Sequence, residues 1–157
     1  MKNRDHAGVF VPPPLIFVTP ILAAVVLQSR SPWRITDVYE MVLVFGGVTA
    51  IGTGMAIGFA SVYGFQKANT TILPAGRPTT AIVQRGPYRF TRNPMYLGMA
   101  CAYLGLSLLL NNLWALVLLP VVLGVVDLGV IRREEAYLTA KFGTPYRNYL
   151  GRVRRWL

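Results

Sequence analysis

Formal charge is what this sequence has least of. Of its 157 residues, 14% are Asp, Glu, Lys or Arg, against about a quarter in an average soluble domain. Acids are scarcer still: 6 Asp and Glu stand against 16 Lys and Arg, a net charge of +10. There is one cysteine, Cys101, and one histidine, His6. A single cysteine excludes an intramolecular disulfide and leaves the redox compartment undecided. One Cys and one His also exclude a zinc site of clustered Cys and His ligands. In a soluble protein this net charge would suggest nucleic acid. Here the basic residues flank apolar runs, so anionic lipid headgroups are the simpler partner and no nucleic acid is expected.

What is present is apolar length. Apolar residues make up 54% of the chain, and Met41 to Phe65 contains no formal charge. A membrane-spanning helix needs about 20 such residues, and a buried helix of a soluble core rarely runs longer. The first apolar run, Val9 to Leu27, holds Pro12, Pro13, Pro14 and Pro20. Proline is tolerated in a first turn, so the helix is expected over 14–28. A cleaved signal peptide is the rival reading, since Lys2 and Arg4 precede the run; no small-x-small site stands before Gln28-Ser29-Arg30. The second helix is expected over 37–65. Gly46, Ala50, Gly54 and Gly58 recur every four residues there, a small-residue strip that lets another backbone approach. Gly52 to Gly58 superficially resembles a dinucleotide-binding glycine loop, but the strand–turn–helix context is missing.

Residues 66–93 differ in kind. Lys67, Arg77, Arg85, Arg89 and Arg92 come with no acid, and Pro74, Pro78 and Pro87 interrupt any helix. Ile72, Leu73, Ile82, Val83, Tyr88 and Phe90 argue against a disordered linker. Two further apolar runs, 95–110 and 113–131, flank Asn111-Asn112 and form a helical hairpin. The first leg has 16 residues, roughly 24 Å as a helix, short for a hydrocarbon core of about 30 Å. The charged segment 132–157 opens with Arg132-Arg133-Glu134-Glu135. It reads as an amphipathic interfacial helix to about Lys141, a turn at Gly143-Thr144-Pro145 and a basic tail. The expected fold is an all-α integral membrane domain of about four transmembrane helices. The basic residues place both termini, the loop and the tail on the cytoplasmic side. A bacterial cytoplasmic membrane is the expected location.

The densest chemistry lies in Gly86 to Gly98. Asn93-Pro94 is a helix start, with Asn as N-cap and Pro at the first position. The free backbone N–H groups there favour a carboxylate. Arg92 adds a planar donor fork, and Tyr88 and Tyr96 add aromatic faces. The plain alternative is a capped helix with arginines reaching headgroups. Glu134 and Glu135 either stabilise a helix start, pair with arginines, or bind a cationic group. Asp127, inside the fourth run, is either functional or paired with an arginine at the interface.

Gly-Pro-Tyr-Arg-Phe-Thr-Arg-Asn-Pro-Met-Tyr-Leu-Gly over 86–98, a hairpin, and Glu134, Glu135, Leu138, Phe142, Gly143, Tyr146 and Tyr149 together resemble the isoprenylcysteine carboxyl methyltransferase family. That family is in turn similar to phospholipid methyltransferases. The resemblance covers about Thr70 to Trp156. It implies methyl transfer from S-adenosylmethionine to a lipophilic acceptor, with a carboxylate as one acceptor class. It implies that Thr80, Ala81, Ile82 and Val83 line the adenosine side, that Tyr88 touches the cofactor, and that Asn93, Pro94, Met95 and Tyr96 hold its amino-acid end. Glu134 would contact it from the C-terminal helix. Arg92 would be a catalytic-site cation. Val130 falls where relatives carry a substrate arginine, and Arg133 or Arg132 would replace it. Many relatives have histidine at Asn93, which brings no titratable charge here. Two other classes remain: a sterol-type membrane reductase using NADPH, sharing a similar hairpin entry, and a non-catalytic membrane subunit packed through Gly54.

Overall fold

The computed structural model describes residues 11–68, 70 and 79–157. Expectations resting on Lys2, Arg4, His6, Ile72, Leu73, Pro74, Arg77 and Pro78 fall outside those residues. Four apolar helices alternate in direction: α1 (Pro13–Arg30), α2 (Glu40–Lys67), α3 (Pro94–Leu109) and α4 (Leu113–Val126). A 3-10 turn, Gly86–Arg89, precedes α3. After α4 come a π turn (Asp127–Ile131), α5 (Arg132–Phe142) and α6 (Thr144–Arg152). This is an all-α membrane protein. α1, α2 and the continuous helix Leu113–Phe142 are long and apolar enough to span a bilayer, and α3 is shorter.

Two expected boundaries shift for physical reasons. The second helix begins at Glu40 and not Asp37: the Thr36 hydroxyl accepts from the Val38 and Tyr39 N–H groups at 3.2 and 3.4 Å, a turn that competes with helix. The fourth helix does not stop at Ile131. It continues through the π turn into α5 as one 30-residue helix, about 45 Å long. The charged segment thus continues the fourth helix instead of starting a new one. From Arg132 onward it is charged and projects past its apolar part, Leu113 to Ile131. The expected turn is a positive-φ Gly143 (φ 61), followed by a true helix, α6.

α2 and α3 pack antiparallel through glycine, but not along the expected every-fourth strip. A Cβ on Gly54 would lie 2.5 Å from the Gly98 carbonyl oxygen, and one on Gly105 would lie 2.6 Å from that of Gly47. Gly58 would meet nothing within 4 Å and Gly46 makes ordinary contact. The buried series on α2 is Gly47, Gly54 and Ser61. Steps of seven drift only about 20° around a helix, whereas steps of four drift about 40°. Only the former keeps one seam against a long neighbour.

The hairpin turn is fixed by its two asparagines. Asn112 caps α4 by accepting from Ala115 N–H at 3.1 Å, and its amide donates to the Ala24 carbonyl at 3.0 Å. Asn111 (φ 45) accepts from Ile35 N–H and donates to the Thr36 carbonyl at 2.7 Å. The α1–α2 loop is thereby tied to the α3–α4 turn. The start of α1, the end of α2, the start of α3 and the C-terminal segment share the opposite end. Along the α1–α4 seam runs an apolar groove of about 380 Å³, lined by Leu15, Ile16, Pro20, Leu118, Val122 and Val125 among others.

Candidate functional site

At that end four pieces of chain converge: residues 79–93, the first turn of α3, α5 and the C-terminal tail. The tail docks in a short parallel bridge, Thr91 to Arg154. Arg92 N–H donates to the Arg154 carbonyl at 2.9 Å. The Arg155 carbonyl accepts from the Thr91 hydroxyl at 2.9 Å and from the Asn93 amide at 3.0 Å. Asn93 therefore does not cap α3 with its side chain, contrary to expectation. The tail carbonyl competes for its amide, which lies buried in the seam.

The centre of the site is Tyr96 and Glu134. The Tyr96 hydroxyl lies 3.0 and 3.1 Å from the two oxygens of Glu134. No cation pairs with Glu134 among the described residues. Burial pushes its carboxyl up, to about 7; the Tyr96 hydrogen bond works against that rise and neighbouring Glu135 adds to it. A carboxylate held this way is stabilised by an arriving cation.

Glu135, one residue on, is fully neutralised. Arg155 grips it through Nη2 at 2.6 Å and Nε at 3.2 Å, and Arg92 Nη2 lies 3.2 Å away. Arg155 Nη1 also reaches both oxygens of Asp127, at 3.3 and 3.4 Å. Arg132 closes the chain on Asp127 at 3.1 Å. Asp127 is thus an interfacial partner of arginines, one of its two expected roles. Arg92 lies against Glu135 and the Leu150 carbonyl, yet its buried Nε has no partner among the described residues. An unfilled donor on a buried guanidinium is costly and suits an incoming carboxylate.

Of the remaining expected residues, Tyr88 is buried and stacks edge-on against Phe65 with ring centres 5.5 Å apart. Its carbonyl accepts from the Tyr149 hydroxyl at 2.8 Å. Thr80 N–H donates to the Thr70 hydroxyl at 2.9 Å and Ala81 N–H at 3.4 Å. Thr80 is exposed, Ala81 and Ile82 are half-buried, and Val83 is buried. Pro94 is buried and Met95 half-buried at the start of α3. Arg133 lies exposed on α5, away from the inward face that carries Glu134. Sequence reasoning missed Arg155, Thr91 and the π turn. The signal for the tail was weak: three arginines, Arg152, Arg154 and Arg155, look alike in sequence, and only one turns inward.

The amino-acid end of S-adenosylmethionine carries a carboxylate and an ammonium beside a sulfonium. The residues present fit such a group. Among the described residues Glu134 lacks a cation and Arg92 Nε an acceptor, and the first N–H groups of α3 follow Arg92 in the chain. Comparison with known proteins bears on the same region. A protein of Haemophilus influenzae described only as uncharacterized is 41% identical over 63 residues, which are 40% of this chain and the whole of that protein. No solved structure matches the chain. The family model described as phospholipid methyltransferase matches residues 42–145, from α2 through the α5–α6 corner, and so this chain belongs to the phospholipid methyltransferase family.

Proposed function

We propose that the chain transfers a methyl group from S-adenosylmethionine to a lipophilic acceptor at the cytoplasmic face of a bacterial membrane. Family membership makes methyl transfer in a membrane its reaction class. The observation that carries the finer reading is the Tyr96–Glu134 pair, joined by no cation among the described residues, beside an Arg92 Nε that has no partner among them. Glu134 would take the ammonium, and Arg92, with the N–H groups of Met95 and Tyr96, the carboxylate. Residues 80–83 and Tyr88 would border the adenosine side. When bound, the cofactor supplies an electrophilic methyl on sulfur.

The chain's own part is placement. Displacement at a methyl group gains most from alignment of the two reactants. A carboxylate acceptor is ionised at neutral pH and needs no general base; an amine acceptor must be neutral. The apolar groove between α1 and α4 suits an aliphatic portion of the acceptor, and exposed Arg133 its polar portion.

Calorimetry on the purified protein in detergent tests the cofactor, and a saturable isotherm is expected. Absence of saturable binding, or preference for NADPH, would overturn the reading. Mass spectrometry of membrane lipids after adding cofactor labelled in its methyl group would then identify the acceptor.

A further inference from the structure

The helix Leu113–Phe142 changes register within its length. The N–H of Arg132 bonds to the carbonyl of Asp127, five residues back, so one extra residue is taken up in the π turn. The effect shows in burial. Val122, Val126, Val130 and Ile131 are buried, and the inward face continues as Glu134, Glu135 and Leu138. Arg132, Arg133, Ala136 and Ala140 are exposed. An uninterrupted α-helix would rotate the charged part by about 100°. Arg133 would then face inward in place of Glu134, a cation where the site holds an anion.

The same shift brings Asp127 and Glu135 together. Residues eight apart in an α-helix stand about 80° apart around the axis; taking up one extra residue reduces this to about 20°. Only then can one guanidinium hold both acids, and Arg155 does so with all three nitrogens. Its backbone is anchored independently by Thr91 and Asn93. The three side chains are 31%, 17% and 13% exposed for Arg155, Asp127 and Glu135, so the pairing is not a solvated surface contact of small consequence.

We propose that Arg155 is a positioning residue that holds Leu113–Phe142 in the π register and so turns Glu134, rather than Arg133, toward Tyr96. Its importance for the reaction rests on the methyltransferase reading; the register lock itself does not.

The test uses a single reporter thiol, Ala136→Cys in a Cys101→Ala chain, with a soluble maleimide in detergent; Ala136 is exposed, and a plain α-helix would turn it to where half-buried Tyr137 now stands. The thiol is expected to react readily with Arg155 present. Arg155→Gln is expected to slow labelling by at least about fivefold and to weaken S-adenosylmethionine binding by about tenfold. Arg155→Lys, a cation without the fork, should fall between. Deleting Leu128, an exposed residue of the π turn, removes the extra residue and lets a plain α-helix present Glu134. Arg155→Gln in that background should regain labelling and affinity to within about twofold.

Unchanged labelling in Arg155→Gln, or no recovery on deletion, would overturn the proposal. So would an Arg155→Gln protein that folds in neither background, since the tail would then serve the fold and not the register. Folding only with the deletion would support it. Labelling that responds as expected without cofactor binding in any variant would sink the methyltransferase reading alone.

Discussion

The Tyr96 hydroxyl bridges both oxygens of Glu134, at 3.0 and 3.1 Å, across 38 residues of sequence. It holds the site's one carboxylate that no arginine neutralises among the described residues. Tyr96→Phe is expected to keep the fold and weaken cofactor binding by about 10- to 150-fold, the worth of a hydrogen bond to a charged group. Calorimetry checks it; an unchanged dissociation constant would remove Tyr96 from the site.

The raised carboxyl of Glu134, at about 7, gives a pH dependence. Below that value the folded protein holds Glu134 protonated, with no charge for a cationic ligand. Affinity should therefore rise with pH through about 7 and level off above it. Binding isotherms from pH 5.5 to 8.5 show this step if Glu134 carries it, and Glu134→Gln should flatten the step while binding weakly throughout.

The same shift has a stability sign. The folded value lies above the usual carboxylate range, so the folded protein binds more protons than the unfolded one between about 4.5 and 7. Stability contributed by Glu134 falls as pH rises through that window. Glu134→Gln is expected to stabilise the ligand-free protein at pH 8 by about 1–3 kcal/mol. Thermal unfolding in detergent at pH 5 and pH 8 checks it: the gain should be present at the higher pH and shrink at the lower.

The α2–α3 seam separates glycines that look equivalent in sequence. Gly54→Ala forces a methyl against the Gly98 backbone and should cost about 1–3 kcal/mol. Gly58→Ala meets open space and should be neutral or slightly stabilising through helix propensity. Equal melting shifts for the two would refute the seven-residue seam.

Asn112 offers a test remote from the site. Its side chain is buried, caps α4 and holds Ala24. Asn112→Ala should cost about 2–3 kcal/mol and leave cofactor affinity per folded molecule unchanged, which unfolding and calorimetry together would show.

The sequence made the spans legible because charge-free length is a one-dimensional property. The hairpin at Asn111-Asn112 and the meeting of the basic loop with the charged tail could be read the same way, the latter from charge asymmetry and motif resemblance. Tyr96 and Glu134 were each singled out, although nothing in sequence shows that they touch. What stayed hidden depends on rotation about a helix axis. A small-residue strip of four-residue period and a seam of seven-residue period both contain Gly54, and only the partner helix selects one. The π turn has no sequence mark in Asp-Leu-Gly-Val-Ile, so the inward role of Glu135 and the separation of Glu134 from Arg133 could not be read. Asn before Pro favours a cap locally, but at Asn93 a carbonyl 62 residues away takes the amide.

α3 has 16 residues where its antiparallel partner α2 has 28. At about 24 Å it falls short of a typical hydrocarbon core of about 30 Å. Its start is fixed at the site end by Thr91, Asn93 and the tail, so the deficit falls at Asn111-Asn112. Those two polar residues sit below the level a full span would reach, and their hydrogen bonds to Ala24, Ile35 and Thr36 take the place of water there. Hydrophobic mismatch is thus built into one wall of the bundle. The surrounding bilayer must thin on that side, which makes lipid chain length a variable of this protein's working state.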